Sequence, residues 1–263
     1  MLMTRVIPVL LLKNGGLVKT VKFKDPTYVG DPINAVKIFN DKEVDELLII
    51  DVEATKEKRE PNFELVSRIS REAFMPFGYG GGIKSLEEIT QMFRLGVEKV
   101  SINSIAIKDP DFVKKAAEIC GSQSVVVSID VKMDEFGNHW VFDYVNNTTT
   151  KLDPVKFAVS IEKNGAGEII LNSVDRDGTF SGYDTDIIKR VSESVRIPVI
   201  AMGGASKIED FVKAVEAGAS AVAAGSFFVF HGKHRAVLIT YPNKDELKKA
   251  LSRLSIQNSE NAF

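Results

Sequence analysis

Cysteine and histidine are scarce in this sequence. Its one cysteine, Cys120, excludes an internal disulfide and leaves no second thiolate for a zinc site. The three histidines, His139, His231 and His234, show no metal-like placement beside carboxylates, and we expect them in solvated loops. The sequence therefore predicts neither a metal site nor a cofactor.

Excess charge of one sign and long apolar runs are also absent. The formal net charge is −2, so no overall field favours nucleic acid or a membrane surface. No apolar run approaches the roughly 20 residues of a membrane-spanning helix, and the chain runs from Met1 directly into a strand pattern instead of a signal peptide. We expect a cytoplasmic protein without nucleic-acid or membrane partners.

The chain does contain a regular alternation of strand and helix patterns. Amphipathic stretches with helix-start signals, such as Asp31-Pro32, Asp109-Pro110 and Ser206 with Glu209, separate short apolar runs. The predicted strands are Val6–Leu12, Glu46–Asp51, Met75–Tyr79, Lys99–Asn103, Val125–Asp130, Glu168–Asn172, Ile197–Met202 and Ala221–Ala224. Eight strands in 263 residues predict one (β/α)8 barrel over residues 1–263, with an open doubly wound sheet as the alternative.

An internal repeat favours the closed barrel. Several residues recur after 122 positions: Pro76, Gly81, Gly96 and Ser104 return as Pro198, Gly203, Gly218 and Ser226. The first strands repeat after 119 positions, which pairs Leu11 with Asp130. One repeat holds four strands and four helices, so the sequence predicts two half-barrels, about residues 1–120 and 121–255.

Small residues follow the third and fourth strands of each half. Gly81-Gly82 and Gly203-Gly204 follow the third strands, while Asn103-Ser104 and Gly225-Ser226 follow the fourth. A glycine pair is often a plain turn, but glycines also let backbone N–H groups approach an anion, and loops of this kind lie at the active face of barrels. Two matched sets predict two phosphate sites and a substrate phosphorylated at both ends.

Five runs carry a family resemblance that extends over nearly the whole chain. They are "YGGGI" at 79–83, "KVSIN" at 99–103, "GSQSVVVSID" at 121–130, "DRDGT" at 175–179 and "SGYDT" at 181–185. The chain resembles the cyclase subunit of imidazole glycerol phosphate synthase. The resemblance implies a two-phosphate barrel that receives ammonia from a glutaminase subunit, in a heterodimer, and cleaves a bis-phosphorylated ribonucleotide.

The resemblance assigns roles at both ends of the barrel. Four strand-start residues match the family's ammonia gate at the barrel floor: Arg5, Glu46, Lys99 and Glu168. Simple salt bridges that close the floor are the alternative reading of these four. At the other end, eight residues match phosphate- and substrate-binding positions: Lys19 in a long loop after strand one, Gly82, Asn103, Asp177, Gly203, Gly204, Gly225 and Ser226. Asp130 matches one of two catalytic aspartates, a general acid–base group.

The sequence departs from the family at the reacting centre. The second catalytic aspartate is replaced by Leu11, a serine by Met202, and two threonines by Asn172 and Gly78. Since an aliphatic side chain cannot transfer a proton, we expect weak cyclase activity.

The opening "VIPVLLLKNGGLVKTVKF" resembles a paralogous branch that occurs with a glutaminase-like partner and a sugar-modifying amidotransferase. That resemblance implies ammonia delivery for conversion of an acetamido to an acetamidino sugar in bacterial surface glycans. The alternatives are a genuine cyclase of histidine biosynthesis and a non-catalytic scaffold that activates the glutaminase. A two-phosphate isomerase is weaker, because that relative also needs an aspartate where this chain has Leu11.

Overall fold

The computed structural model describes the backbone of residues 4–260 and the side chains of residues 4–252, and the strands close into a barrel. The strands are β1 (Arg5–Lys13), β2 (Gly16–Val21), β3 (Lys24–Gly30), β4 (Leu47–Asp51), β5 (Phe77–Gly80), β6 (Lys99–Ile102), β7 (Val125–Met133), β8 (His139–Asp143), β9 (Thr148–Thr149), β10 (Glu168–Ser173), β11 (Val199–Met202), β12 (Ala221–Ala224), β13 (Phe230–His231) and β14 (Ala236–Val237). Eight of them pair in parallel, in the order β10-β11-β12-β1-β4-β5-β6-β7, and β7 pairs with β10 to complete the circle. The predicted (β/α)8 barrel is confirmed.

The helices pack outside the barrel. They are α1 (Pro32–Asp41), α2 (Phe63–Glu72), α3 (Leu86–Arg94), α4 (Ser104–Lys108), α5 (Asp111–Cys120), α6 (Pro154–Lys163), α7 (Thr185–Ser192), α8 (Ile208–Glu216), α9 (Ser226–Val229) and α10 (Lys244–Glu260), with a 3₁₀ turn at Ser122–Ser124. Asp31 caps α1 as predicted, by accepting a hydrogen bond from the N–H of Asn34. Two start signals were wrong: Asp109 precedes α5 without a side-chain cap, and Ser206 bonds to Asp210 instead of Glu209.

Two apolar layers explain why the barrel strands contain few polar residues. One layer fills the space between the strands and the surrounding helices, while a smaller cluster fills the barrel interior. The interior cluster includes Val9, Leu11, Ile170 and Met202. Strands covered on both faces are apolar at successive positions, and this pattern made them recognisable in the sequence.

Antiparallel hairpins extend the first strand of each half. Strands β2 and β3 follow β1, whereas β8 and β9 follow β7. Lys19, predicted in a loop, lies instead in β2. The side chain of Phe23, at the turn between β2 and β3, meets the rings of Phe142 and Tyr144 at centroid distances of 6.3 and 5.4 Å. The two hairpins therefore contact each other above opposite sides of the barrel.

The repeat is visible in detailed contacts. The N–H of Leu47 donates to the carbonyl of Pro76, and the N–H of Ile169 donates to that of Pro198, at 3.0 and 2.9 Å. Gly96 and Gly218 follow α3 and α8 with φ values of +94° and +102°, as helix-ending glycines do. These pairs are 122 residues apart, so equivalent positions in the two halves have equivalent geometry.

Candidate functional site

A cavity of about 220 Å³ opens at the carboxyl ends of the barrel strands, and we call it the mouth cavity. Polar residues and aliphatic residues form different parts of its wall. The polar part includes Asn103, Asp130, Asn172 and Asp177. Ligand sites of barrel proteins lie at this end, because every parallel strand delivers its last residue there.

Asp130 is the only catalytic residue predicted from the sequence, and it lies on the wall of this cavity near the end of β7. Its carboxylate accepts hydrogen bonds from the side-chain amides of Asn172, at 2.9 Å, and Asn103, at 3.2 Å. Burial raises the pKa of Asp130 to about 7; the amides lower it, and the charge of Asp177 raises it further. A carboxyl group with this pKa exchanges protons near neutral pH, as a general acid–base group must.

Leu11 lies on the opposite side of the mouth cavity. In the strand order, β1 is four positions from β7, half of the way around the eight-stranded circle. Leu11 and Met202 are 8% and 7% exposed and belong to the interior apolar cluster. Ile50 and Val52 extend this apolar wall. The β1 position across the cavity from Asp130 therefore holds an aliphatic side chain, which has no proton to exchange.

Asn172 was noted in the sequence only as a departure and not as a site residue. It lies directly beside Asp130 in the β7–β10 register and is 3% exposed. Its Nδ2 donates to Asp130, whereas its Oδ1 has no hydrogen-bond partner among residues 4–252. A buried acceptor without a partner is costly, so this oxygen is suited to a donor group of a ligand. The signal available in the sequence was a polar residue that ends an apolar strand.

The predicted phosphate residues divide into two groups. Gly82 and Asn103 line the mouth cavity, and so do their neighbours Gly81 and Ser104. Asp177 lines it as well, but four second-half residues do not: Gly203, Gly204, Gly225 and Ser226. The hydroxyl of Ser226 is buried and has no partner within residues 4–252. The structure therefore brings the first-half set and Asp177 together around the open cavity, but not the second-half glycines or Ser226.

The side chain of Lys19 lies over part of the second group of predicted phosphate residues. Its Nζ is 2.9 Å from both carboxylate oxygens of Asp177, and the two side chains are 3% and 5% exposed. A Cβ atom on Gly225 would lie 2.9 Å from Cε of Lys19, so the lysine chain rests directly on this glycine. Lys19 and Asp177, 158 residues apart, thus form a buried ion pair where the second anion was predicted.

The four predicted gate residues meet at the opposite end of the barrel, and we call them the floor ring. Arg5 contacts Glu46 and donates to Glu168 at 2.6 Å. Lys99 lies 3.1 Å from Glu46 and 2.9 Å from Glu168. Burial opposes the charge of Arg5, but the two carboxylates outweigh it and raise the pKa of Arg5. Each cation contacts both anions, so the ring is electrically balanced.

A second, much smaller cavity lies inside the barrel next to the floor ring. Its volume is about 10 Å³, close to the space that a single water-sized molecule needs. Glu46 and Lys99 of the ring line it, together with Gly78 and Ser101. Ser101 also lines the mouth cavity. Ser101 is therefore shared by the small cavity next to the floor ring and by the mouth cavity.

His139 does not occupy the solvated loop expected from the sequence. It lies in β8, is 9% exposed, and its Nε2 is 3.0 Å from the carboxylate of Asp184. His231 and His234 are exposed, as expected, although His231 lies in β13 and not in a loop. No group of three or more His, Cys, Asp or Glu side chains in residues 4–252 is arranged to hold a metal ion. Among the helices of residues 4–260, none has the length and apolarity needed to cross a membrane.

Comparison with known proteins identifies the family. The chain matches the histidine biosynthesis protein family over residues 5–235. It belongs to that family. A Pseudomonas aeruginosa relative, provisionally named imidazole glycerol phosphate synthase subunit hisF2, is 53% identical over 94% of this chain and 99% of its own length. A Campylobacter jejuni relative, also provisionally named hisF2, is 44% identical over 88% of this chain and 91% of its own.

A relative named without that qualification is the imidazole glycerol phosphate synthase subunit HisF of Endomicrobium trichonymphae. It is 45% identical over 87% of this chain and 88% of its own length. The recognition made from the sequence is therefore confirmed: the chain is a HisF-like member of the family.

Proposed function

We propose that this HisF-like protein is the ammonia-accepting barrel subunit of a glutamine-dependent complex. Its ammonia serves the conversion of an acetamido sugar to an acetamidino sugar in surface-glycan biosynthesis. The partners are a glutaminase at the barrel floor, in a heterodimer, and a sugar amidotransferase, all in the cytoplasm. One observation carries the proposal: the residue on the far side of the mouth from Asp130 is Leu11.

The first support is the path along the barrel axis. The floor ring is partly exposed, with 28% of the Arg5 side chain and 20% of the Lys99 side chain accessible. The small cavity lies next to the ring, and Ser101 links that cavity to the mouth. A small neutral molecule such as ammonia fits this route, because its size matches the cavity and Ser101 offers a hydrogen bond.

The second support is the reacting centre. The family reaction uses two aspartates, and here Leu11 and Met202 present aliphatic groups where protons would be exchanged. Loss of one general acid–base group slows a reaction by about 10²–10⁴-fold. Ammonia passage makes no demand on that second carboxylate, so the route is kept while the cyclase chemistry is impaired.

The second candidate function is the family cyclase reaction in histidine biosynthesis. It is favoured by Asp130, whose pKa of about 7 suits acid–base catalysis. A further candidate is a scaffold that activates the glutaminase without chemistry of its own. The scaffold requires the floor ring but not Asp130.

An ammonia-driven cyclase assay with the bis-phosphorylated ribonucleotide separates these candidates. We expect turnover about 10²–10⁴-fold below that of a two-aspartate relative, and an increase of at least about tenfold in Leu11→Asp. Wild-type turnover equal to that of the relative, and abolished by Asp130→Asn, would contradict the proposal and favour the cyclase.

The scaffold is tested by glutaminase activation in the complex. It predicts that Asp130→Asn leaves both activation and sugar amidination unchanged, whereas Lys99→Met disturbs both. Under our proposal, sugar amidination requires ammonia to pass along the barrel. It should therefore fall in a variant that blocks the small cavity, such as Gly78→Val, while the glutaminase still hydrolyses glutamine. Amidination unaffected by this block would contradict ammonia delivery through the barrel.

A further inference from the structure

Three carboxylates line the mouth cavity, and two of them are already paired with cations of the protein. Asp51 lies 3.2 Å from the guanidinium of Arg59, and Asp177 lies 2.9 Å from Nζ of Lys19. The third is Asp130, which has no ion-pair partner within residues 4–252. A buried carboxylate without a cation is costly, so Asp130 is suited to a small cation that enters the cavity.

The carboxylate of Asp130 also keeps hydrogen-bonding capacity for such a ligand. Its Oδ1 accepts from Asn172 at 2.9 Å, and its Oδ2 accepts from Asn103 at 3.2 Å. A carboxylate oxygen has about two lone-pair sites, so each oxygen retains one. Burial raises the pKa of Asp130, and the charge of Asp177 raises it further. The negative field that opposes ionisation of Asp130 favours a positive charge placed beside it.

Two hydroxyl groups without protein partners lie on the floor side of Asp130. Ser128 precedes Asp130 by two residues in β7, so both side chains face the inside of the barrel, and both line the mouth cavity. Ser101, on the neighbouring strand β6, is 5% exposed and lines both the mouth cavity and the small cavity. Neither hydroxyl forms a hydrogen bond within residues 4–252. Each can therefore accept a hydrogen bond from an N–H group in the cavity.

The other side of the cavity is apolar and offers no such acceptor at this level. Leu11, Ile50 and Met202 line it there and belong to or pack on the interior apolar cluster. Acceptors are thus concentrated on β6 and β7, below one unpaired carboxylate. A ligand that matches this arrangement is small and positively charged, and carries several N–H donors. Ammonium has these properties, and its size is close to that of a water molecule.

We propose that Asp130, Ser128 and Ser101 bind ammonia as ammonium, in an ion pair with the Asp130 carboxylate. Uncharged ammonia takes the proton of the Asp130 carboxyl group, which leaves an ammonium ion and a carboxylate. The same proton returns to Asp130 when the ammonia leaves for its acceptor. This inference rests on the proposed function, which supplies the ammonia, and adds a site that retains it. An ion leaves a cavity with apolar walls less readily than a neutral molecule does.

Ammonium chloride is the probe, and the full chain is used without partners. Urea unfolding is measured at pH 8, above the pKa of about 7 of Asp130, while ammonium chloride replaces tetramethylammonium chloride at constant ionic strength. Ammonium that binds the folded state should raise the unfolding midpoint to a plateau, and the curve gives the Kd. Asp130→Asn should abolish this saturable rise. Ser128→Ala should raise the Kd at least about tenfold, as expected for one hydrogen bond to a charged group.

Asp51→Asn is the matched control, because it removes a carboxylate of the same cavity that Arg59 already pairs. The asparagine keeps an acceptor for the two backbone N–H groups that this side chain holds, and the ammonium Kd should not change. Potassium chloride, whose cation has no N–H donors, should bind at least about tenfold more weakly than ammonium chloride.

Five results would each overturn the inference. They are no saturable rise in the wild type, an equal rise in Asp130→Asn, an unchanged Kd in Ser128→Ala, a changed Kd in Asp51→Asn, and equal binding of potassium. The measurement needs neither partner nor turnover. A failed amidination assay would therefore reject the proposed function without changing this result, and a missing ammonium site would leave passage of ammonia through the barrel untouched.

Discussion

The titration of Asp130 leads to a prediction about stability. In the unfolded chain this carboxyl group loses its proton near its ordinary pKa of 3.8, whereas in the folded protein burial holds the pKa at about 7. Between these values the folded state binds one more proton than the unfolded state. Asp130 therefore stabilises the fold fully below about pH 4, and this contribution is lost as the pH rises through 7.

The magnitude follows from the difference between the two pKa values. One pH unit corresponds to about 1.4 kcal/mol, so the loss between pH 5 and pH 8 is about 3 kcal/mol. Asp130→Asn is uncharged at every pH and lacks this dependence. The variant should therefore gain about 3 kcal/mol in unfolding free energy, relative to wild type, as the pH is raised from 5 to 8.

Urea unfolding followed by circular dichroism at pH 5, 6, 7 and 8 measures this change. Glu135→Gln, an exposed carboxylate in the β7–β8 turn, is the matched control and should follow the wild type at every pH. If the difference between wild type and Asp130→Asn stays constant within about 0.5 kcal/mol, Asp130 is not held protonated by burial. The acid–base role drawn from its pKa would then fail as well.

The remaining predictions concern the floor ring and the first anion loop. Lys99→Met leaves the two ring carboxylates with Arg5 as their one remaining cation in the ring. We expect a loss of about 1–3 kcal/mol in unfolding free energy, measured by urea unfolding. An unchanged unfolding free energy would show that the ring does not stabilise the barrel floor. Gly81→Ala would place a Cβ atom 2.1 Å from the carbonyl oxygen of Asp51 at a φ of +100°. We expect a loss above about 2 kcal/mol, or no soluble protein, whereas Gly137→Ala, with open space around it, should cost about 1 kcal/mol for its positive φ alone. Equal losses at the two glycines would contradict the close contact at Gly81.

The barrel could be predicted because its signal is local and repeated. Strands such as Val125–Met133 are apolar at successive positions, and short-range capping marks many of the helices. The β2–β3 hairpin could not be predicted, because its turn places Lys22 and Phe23 at φ values of +50° and +62° and has no glycine at these positions that would indicate a turn. Tertiary packing overrides the sequence preference at these positions.

Part of the candidate site could also be predicted, because the two halves of the sequence repeat each other. Repeat spacing identified the glycine loops and paired Leu11 with Asp130, whereas the catalytic role of Asp130 came from the family resemblance. Contacts between residues far apart in the sequence give no local sequence signal. Lys19 pairs with Asp177, 158 residues away, and His139 contacts Asp184, 45 residues away. The buried state of His139 and the ion pair at the second predicted anion site were therefore visible only in the folded chain.

The aromatic contact between the two hairpins has a consequence for the timing of ligand exchange. Phe23 and Tyr144 both line the mouth cavity and meet edge to face. They belong to hairpins that extend opposite strands, so a molecule wider than the gap must wait for the rings to part. For such a molecule, the rate of exchange depends on how often the rings part.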